Sequence, residues 1–227
     1  SSPALWLDVA AARKATLLTA TTTALRLVLR RLRPESDRRW DLATVRSLFL
    51  GAEPISATVV REFAARFAAC GLDSTVFRPA YGLAEACVGV AGCPRSETLR
   101  FWRLSRRGLG DGLAHEAIVE ADALEVAEIG PPLVGVELRV VDDADRPLPD
   151  CRVGHVQLRG PNLMEGYHGD PEATAAAFVE GWLRTGDLGF LREGRLTICG
   201  RAKETLLVAG RNVYAADVEA IAAETPG

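Results

Sequence analysis

Four short segments hold the residue types that handle a phosphorylated, planar ligand. LGAEPIS at residues 50–56 is an apolar run, a tight turn of Gly51, Ala52, Glu53 and Pro54, and then a serine able to cap a helix. RPAYGLAEA at residues 78–86 sets Tyr81, Gly82 and Glu85 within five positions. Tyr81 could stack on a base, Gly82 would let backbone approach a ligand, and Glu85 is a hard oxygen ligand suited to Mg²⁺. GWLRTGDLGFL at residues 181–191 places Asp187 between glycines, where a carboxylate can accept from both hydroxyls of a ribose. GRAKETLLVAG at residues 200–210 offers Arg201 to a phosphate or ribose and puts Lys203 and Glu204 at a joint between two patterns. Each has a plain alternative: a strand-to-helix turn, a half-buried core aromatic beside a helix-start carboxylate, a β-turn aspartate, and a surface charge cluster.

These segments need elements to hold them. Leu25, Val28, Leu29 and Leu32 recur at helical spacing and predict an amphipathic helix over about 22–33, beside a short apolar run at 16–19. VRSLFLG at residues 45–51 predicts a buried strand. Ser56 then opens a helix whose Val59, Val60, Phe63 and Phe67 share a face. Strands alternating with helices predict an α/β fold with a parallel sheet. From about residue 136, VELRVVD, VGHVQLRG and GRLTICG predict a β-rich subdomain. The arginine- and glycine-containing stretch 93–130 has no clean period and reads as an insertion or long loop. After Gly200 the pattern changes again, with a helix expected from about Ala215. The expected organisation is residues 1–135 as the later part of a large α/β domain, 136–199 as its β-rich subdomain, 200–205 as a hinge, and 206–227 as the start of a small α+β domain.

Composition narrows the partners. In 227 residues, 48% are hydrophobic and 25% charged, a mix that supports a packed core. A net charge of −3 gives no electrostatic reason to expect nucleic acid, and no apolar run is long enough to span a membrane. Five cysteines with no CxxC pair read as reduced, mostly buried thiols, which suggests the cytoplasm. Met164 is the only methionine, so the chain is expected to be a piece of a longer one.

In this order and spacing, the four segments and GYHGDPEATAAAF resemble the adenylate-forming superfamily, and within it the fatty acyl-AMP ligases. The resemblance covers nearly the whole chain and is weakest over 93–130. It implies that Gly51, Ala52, Glu53 and Pro54, with Tyr81 and Gly82, frame the adenine of ATP or AMP. It further implies that Glu85 holds Mg²⁺, that Asp187 binds the ribose, that Arg201 contacts ribose or phosphate, and that Lys203 and Glu204 form the hinge. The implied reaction joins a fatty or other carboxylic acid to ATP, then passes the acyl group to an acyl carrier protein or to coenzyme A. The stretch at Thr21, Thr22, Thr23 and Leu25 resembles a lining of the acyl pocket, and 93–130 an insertion that restrains the C-terminal domain.

The chain departs from that pattern at Ala84, where most relatives have threonine, at Glu204, where the hinge is usually aspartate, and at His155 and Ala215. His155 reads as a satisfied or exposed strand histidine rather than a base, and His115 and His168 have no identifiable partner in the sequence. A glycine-rich phosphate loop with a lysine has no counterpart, and the family's adenylation lysine is expected beyond Gly227. The piece alone is therefore expected to be inactive. The alternatives are an acyl-CoA or aryl-CoA ligase and a non-catalytic remnant that binds nucleotide or a carrier protein.

Overall fold

The computed structural model describes residues 3–33, 39–208, 211–214, 218 and 222. Helix α1 (Pro3–Ala12) leads into strand β1 (Leu17–Ala20), helix α2 (Thr22–Arg31), strand β2 (Ser47–Leu50), helix α3 (Ala57–Phe67), strand β3 (Phe77–Tyr81) and the short strand β4 (Ala91–Gly92). β1, β2 and β3 run parallel in that order, and β4 closes the sheet antiparallel to β3. The apolar run before α2 is thus a strand, paired from Leu17↔Ser47 to Ala20↔Leu50.

Both expected helices form, for local reasons. The Thr21 hydroxyl accepts from Ala24 N at 3.1 Å and opens α2, and the Ser56 hydroxyl accepts from Val59 N at 3.4 Å and opens α3. Leu25 and Val28 of α2, with Val59, Val60, Phe63 and Phe67 of α3, are buried against Leu48, Leu50 and Phe77 of the sheet. The Phe63 and Phe67 rings pack at a tilt with centres 4.6 Å apart, and Phe77 meets Phe63 edge-on at 6.5 Å. Each such side chain contributes about 1.5–3 kcal/mol by leaving water.

A second sheet takes up most of the rest. Strands β5 (Phe101–Ser105), β6 (Ala123–Gly130), β7 (Glu137–Val141), β8 (Gly154–Arg159), β9 (Phe178–Val179), β10 (Trp182–Arg192) and β11 (Arg195–Arg201) form it, with α4 (Arg106–Gly110) and α5 (Pro171–Ala177) between them. The order is β5-β6-β11-β10-β8-β7 with β9 on β10, all antiparallel. A separate hairpin, β12 (Leu206–Val208) and β13 (Arg211–Val213), comes after it.

The stretch 93–130 is therefore not an irregular loop. β5 pairs with β6 over five positions, from Phe101↔Ala127 to Ser105↔Ala123, and Ser105 caps α4 through Gly108 N at 2.9 Å. The β-rich part begins at Phe101, not at 136. The signal was hidden because Phe101 and Trp102 are both only half-buried, so no alternation shows. The partner strand also lies some twenty residues away.

The two sheets share a core in which Ala86, Val90, Ile129, Val156, Leu158 and Leu196 are buried, with Ile55, Tyr81 and Leu83 packed at its edge. Of the cysteines only Cys70 is buried. Cys87 is exposed and Cys93, Cys151 and Cys199 are half-buried, so the expectation of mostly buried thiols fails. No helix among the described residues is long and apolar enough to cross a membrane. The helix expected from about Ala215 lies, apart from Val218 and Ala222, outside the described residues.

Candidate active site

The three parallel strands end side by side, and the carboxyl edge of such a sheet is where ligands bind in α/β folds. Past β1 comes the Thr21 cap of α2, past β2 the turn at 51–54, and past β3 Gly82 and the short helical turn Ala84–Ala86. Why this edge is built from glycine is a matter of contact. A Cβ on Gly51 would lie 2.6 Å from the Ala80 carbonyl oxygen, and one on Gly82 would lie 1.3 Å from that of Val88. The close approach at Gly82 is therefore to the protein's own backbone.

Tyr81, Asp187 and Arg201 come together. The Tyr81 phenol donates to Asp187 Oδ2 at 2.5 Å, and Arg201 Nε stands 3.1 Å from Asp187 Oδ1. Asp187 and Arg201 face each other because they are register partners on β10 and β11. The expected turn around Asp187 is a bulge within one continuous strand. There Gly186 takes φ +76°, and the pairing with β8 shifts between Arg184 and Leu188. The Thr185 hydroxyl, two residues before, accepts from Asp187 N at 3.0 Å and donates to the Val156 carbonyl at 2.9 Å, fixing the bulge.

Electrostatics track burial. Asp187 is only 5% exposed, and loss of water holds its carboxyl above the usual range although Tyr81 and Arg201 both pull it down. Burial, and then the neighbouring Asp187 carboxylate, push the Tyr81 phenol well above its ordinary value, so it stays a donor at any physiological pH.

Glu85 is held from two sides by the segment after β8. Its Oε1 accepts from the Tyr167 phenol at 2.8 Å, and its carbonyl accepts from Met164 N at 2.7 Å. The hydrogen bond to Glu85 raises the Tyr167 phenol above its ordinary value. Asn162 Nδ2 donates to the carbonyls of Ala86 and Gly89, both at 2.9 Å, and so fastens the same segment to the turn after Glu85. Among the described residues no three carboxylate, histidine or cysteine side chains cluster as a metal cage. A single carboxylate suits Mg²⁺, which keeps its waters and takes further oxygens from phosphates.

Glu53 is placed differently from the other turn residues. Its carboxylate accepts from Thr23 N and, at 3.0 Å, from Thr23 Oγ1, at the start of α2. Lys203 and Glu204 lie exposed in the helical turn Ala202–Glu204, directly after Arg201. His155 is satisfied by Asp143, 3.0 Å away, and His115 Nδ1 lies 3.1 Å from the Glu116 carbonyl.

Sequence reasoning missed Asn162, Tyr167 and Thr185, and it read Thr23 as a pocket lining without its contact to Glu53. Tyr167 sits in the GYHGD segment and Thr185 in TGD, so both were within reach. Thr23 and Asn162 depend on partners some thirty and seventy-five residues away and left no local sign.

Known proteins resemble this chain in sequence and fold. The 4-hydroxyphenylalkanoate adenylyltransferase of Mycobacterium tuberculosis is 35% identical over 99% of this chain. The long-chain fatty acid–AMP ligase of Mycolicibacterium smegmatis is 36% identical over 81% of it. A solved fatty acyl-adenylate ligase structure, from work on the E. coli and L. pneumophila enzymes, superposes with a TM-score of 0.93 at 32% identity over 99% of this chain and 41% of its own. The chain spans 38% and 32% of the two sequence relatives, in the same order. The model of one family, described as AMP-binding enzyme, matches residues 1–168, which include the turn at 51–54, Tyr81, Gly82 and Glu85. With a match over most of its length and those residues gathered at one sheet edge, this chain belongs to the AMP-binding enzyme family.

Proposed function

We propose that the whole protein activates a fatty acid with ATP and hands the acyl group to the phosphopantetheine thiol of an acyl carrier protein. The observation that carries this reading is the convergence of Tyr81, Asp187 and Arg201 at the carboxyl edge of the parallel sheet. The names of the relatives point the same way: they include a fatty acid–AMP ligase and an adenylyltransferase, and one solved neighbour is in complex with acyl adenylate and pyrophosphate.

In the first step an oxygen of the acid carboxylate bonds to the α-phosphorus of ATP, and the bond from that phosphorus to the bridging oxygen breaks. Pyrophosphate leaves and an acyl-adenylate remains. In the second step the thiol gives up its proton to solvent, its sulfur bonds to the acyl carbon, the bond from that carbon to the phosphate oxygen breaks, and AMP leaves. We assign the turn residues Gly51, Ala52 and Pro54 with Tyr81 and Gly82 to the adenine, Asp187 to the ribose hydroxyls, and Arg201 to ribose or phosphate. Asp187, ionised, is an acceptor twice over and orients the ribose by charge-assisted hydrogen bonds. Glu85 is the residue suited to hold Mg²⁺, which when bound offsets charge on the phosphate oxygens.

We read Lys203 and Glu204 as the hinge and 93–130 as the segment that restrains the C-terminal region. Support for the latter is contact between α4 and β13. Arg211 Nε lies 3.1 Å from Asp111 Oδ1, and Tyr214 is buried with Leu104, Leu109, Leu188 and Phe190.

The test is pyrophosphate release by the whole protein with ATP, Mg²⁺ and a panel of fatty acids, beside Glu85→Ala and Asp187→Ala. Release stimulated by a long-chain acid and lost in both variants is expected. No release with any acid would leave a binding module as the better account.

A further inference from the structure

Helix α2 begins in the segment read as acyl-lining, and the nucleotide-side turn at 51–54 is tied to it by two independent contacts. Both Glu53 carboxylate oxygens are engaged by Thr23, one by its backbone N–H and the other by its hydroxyl at 3.0 Å. The Thr22 hydroxyl, on a residue only 6% exposed, donates to the Pro54 carbonyl at 2.9 Å and accepts from Ser56 N at 3.3 Å. α2 carries no acidic residue in its own first turn, so Glu53 is the anion that complements its positive end. Ala52, next to Glu53, takes φ +65°, a conformation that L residues adopt only where flanking contacts over-determine it.

Both partners of the Glu53 carboxylate belong to the first turn of α2, so these contacts tie the turn to the helix. We infer that Glu53 is a positioning residue which locks the acid-side helix to the nucleotide-side turn, so that the two substrates bind as a coupled pair. The inference rests on the acyl-AMP ligase reading for the identity of the substrates, but the lock itself does not.

The experiment compares the whole protein with Glu53→Ala, Glu53→Gln, Thr23→Ala and the Glu53→Ala/Thr23→Ala double variant. In pyrophosphate release, Glu53→Ala should raise KM for the fatty acid and for ATP together, each about tenfold, the scale of losing a helix cap. kcat should change by less than about threefold, because nothing made only in the transition state is removed. Glu53→Gln should recover most of the loss, since its carbonyl oxygen still accepts from Thr23 N. Adding Thr23→Ala to Glu53→Ala should cost nothing further.

Amide hydrogen exchange gives a readout that needs no activity: Glu53→Ala should speed exchange in 21–25 and in 51–56 alike. A rise in KM for ATP alone, additive single variants, or faster exchange confined to 51–56 would overturn the inference and make Glu53 a local or direct nucleotide contact. If the unaltered protein releases no pyrophosphate, the functional reading fails, and the exchange result still decides the lock.

Discussion

The Tyr81 phenol donates to Asp187 at 2.5 Å across 106 residues of sequence, joining the end of the parallel sheet to a bulge in the antiparallel one. One hydrogen bond thus registers the aromatic we assign to the base against the carboxylate we assign to the ribose, before any nucleotide arrives. Such prior positioning lowers the ordering cost of binding.

Tyr81 separates two roles. Tyr81→Phe keeps the ring and loses the donor, which should cost about 1 kcal/mol of stability and change AMP affinity by less than about threefold. Tyr81→Ala should cost about 1–3 kcal/mol of AMP binding through lost stacking. Thermal melts and isothermal titration on the same two variants check both.

Asp187 gives a pH dependence with a definite sign. Its folded-state pKa is raised by burial, so the folded protein holds this proton more tightly than the unfolded chain. The resulting stabilisation is complete below the unfolded value of about 3.9 and is lost as pH rises through the higher folded value. At neutral pH the ionised carboxylate therefore costs stability. Asp187→Asn should raise the melting temperature at pH 7, by about 2–4 °C per kcal/mol gained, while weakening AMP binding. AMP affinity of the unaltered protein should fall on acidification before an ordinary carboxylate would protonate.

Tyr167 should act through Glu85. Tyr167→Phe removes the 2.8 Å donor, and the Mg²⁺ concentration for half-maximal pyrophosphate release should rise about tenfold, the lower end of what losing a partner of a metal ligand costs. Titrating Mg²⁺ at saturating ATP and acid checks it.

The segment 93–130 makes its own prediction. Asp111→Ala and Tyr214→Ala remove its contacts with the second strand of the last described hairpin and the residue after it. Limited proteolysis after Arg201 should accelerate in both, and acyl transfer to coenzyme A should rise relative to transfer to a carrier protein.

Legibility depended on locality. Ser56, Val59, Val60, Phe63 and Phe67 predicted α3 because a cap and a helical face are written within twelve residues. Glu85, Asp187 and Arg201 were legible as residue types in tight motifs, though which of them meet was not. The Tyr81–Asp187 contact depends on how two sheets pack. β5 escaped because half-burial at Phe101 and Trp102 erased its alternation, and β6 because four residues in a row, Ala127 to Gly130, are buried. Glu53 was legible as part of the turn but not as the anchor of α2, since the helix it serves begins thirty residues earlier.

Whether Asp187, set by Tyr81 and Arg201, holds the ribose of an adenylate can be decided by calorimetric titration. The whole protein and its Asp187→Ala variant would be titrated with a long-chain acyl-adenylate analogue bearing a sulfamate in place of the phosphate. Saturable binding that weakens about 10- to 100-fold in the variant is expected, the scale of hydrogen bonds to a charged group. Equal affinity in the two proteins, or no binding to the unaltered one, would contradict the assignment.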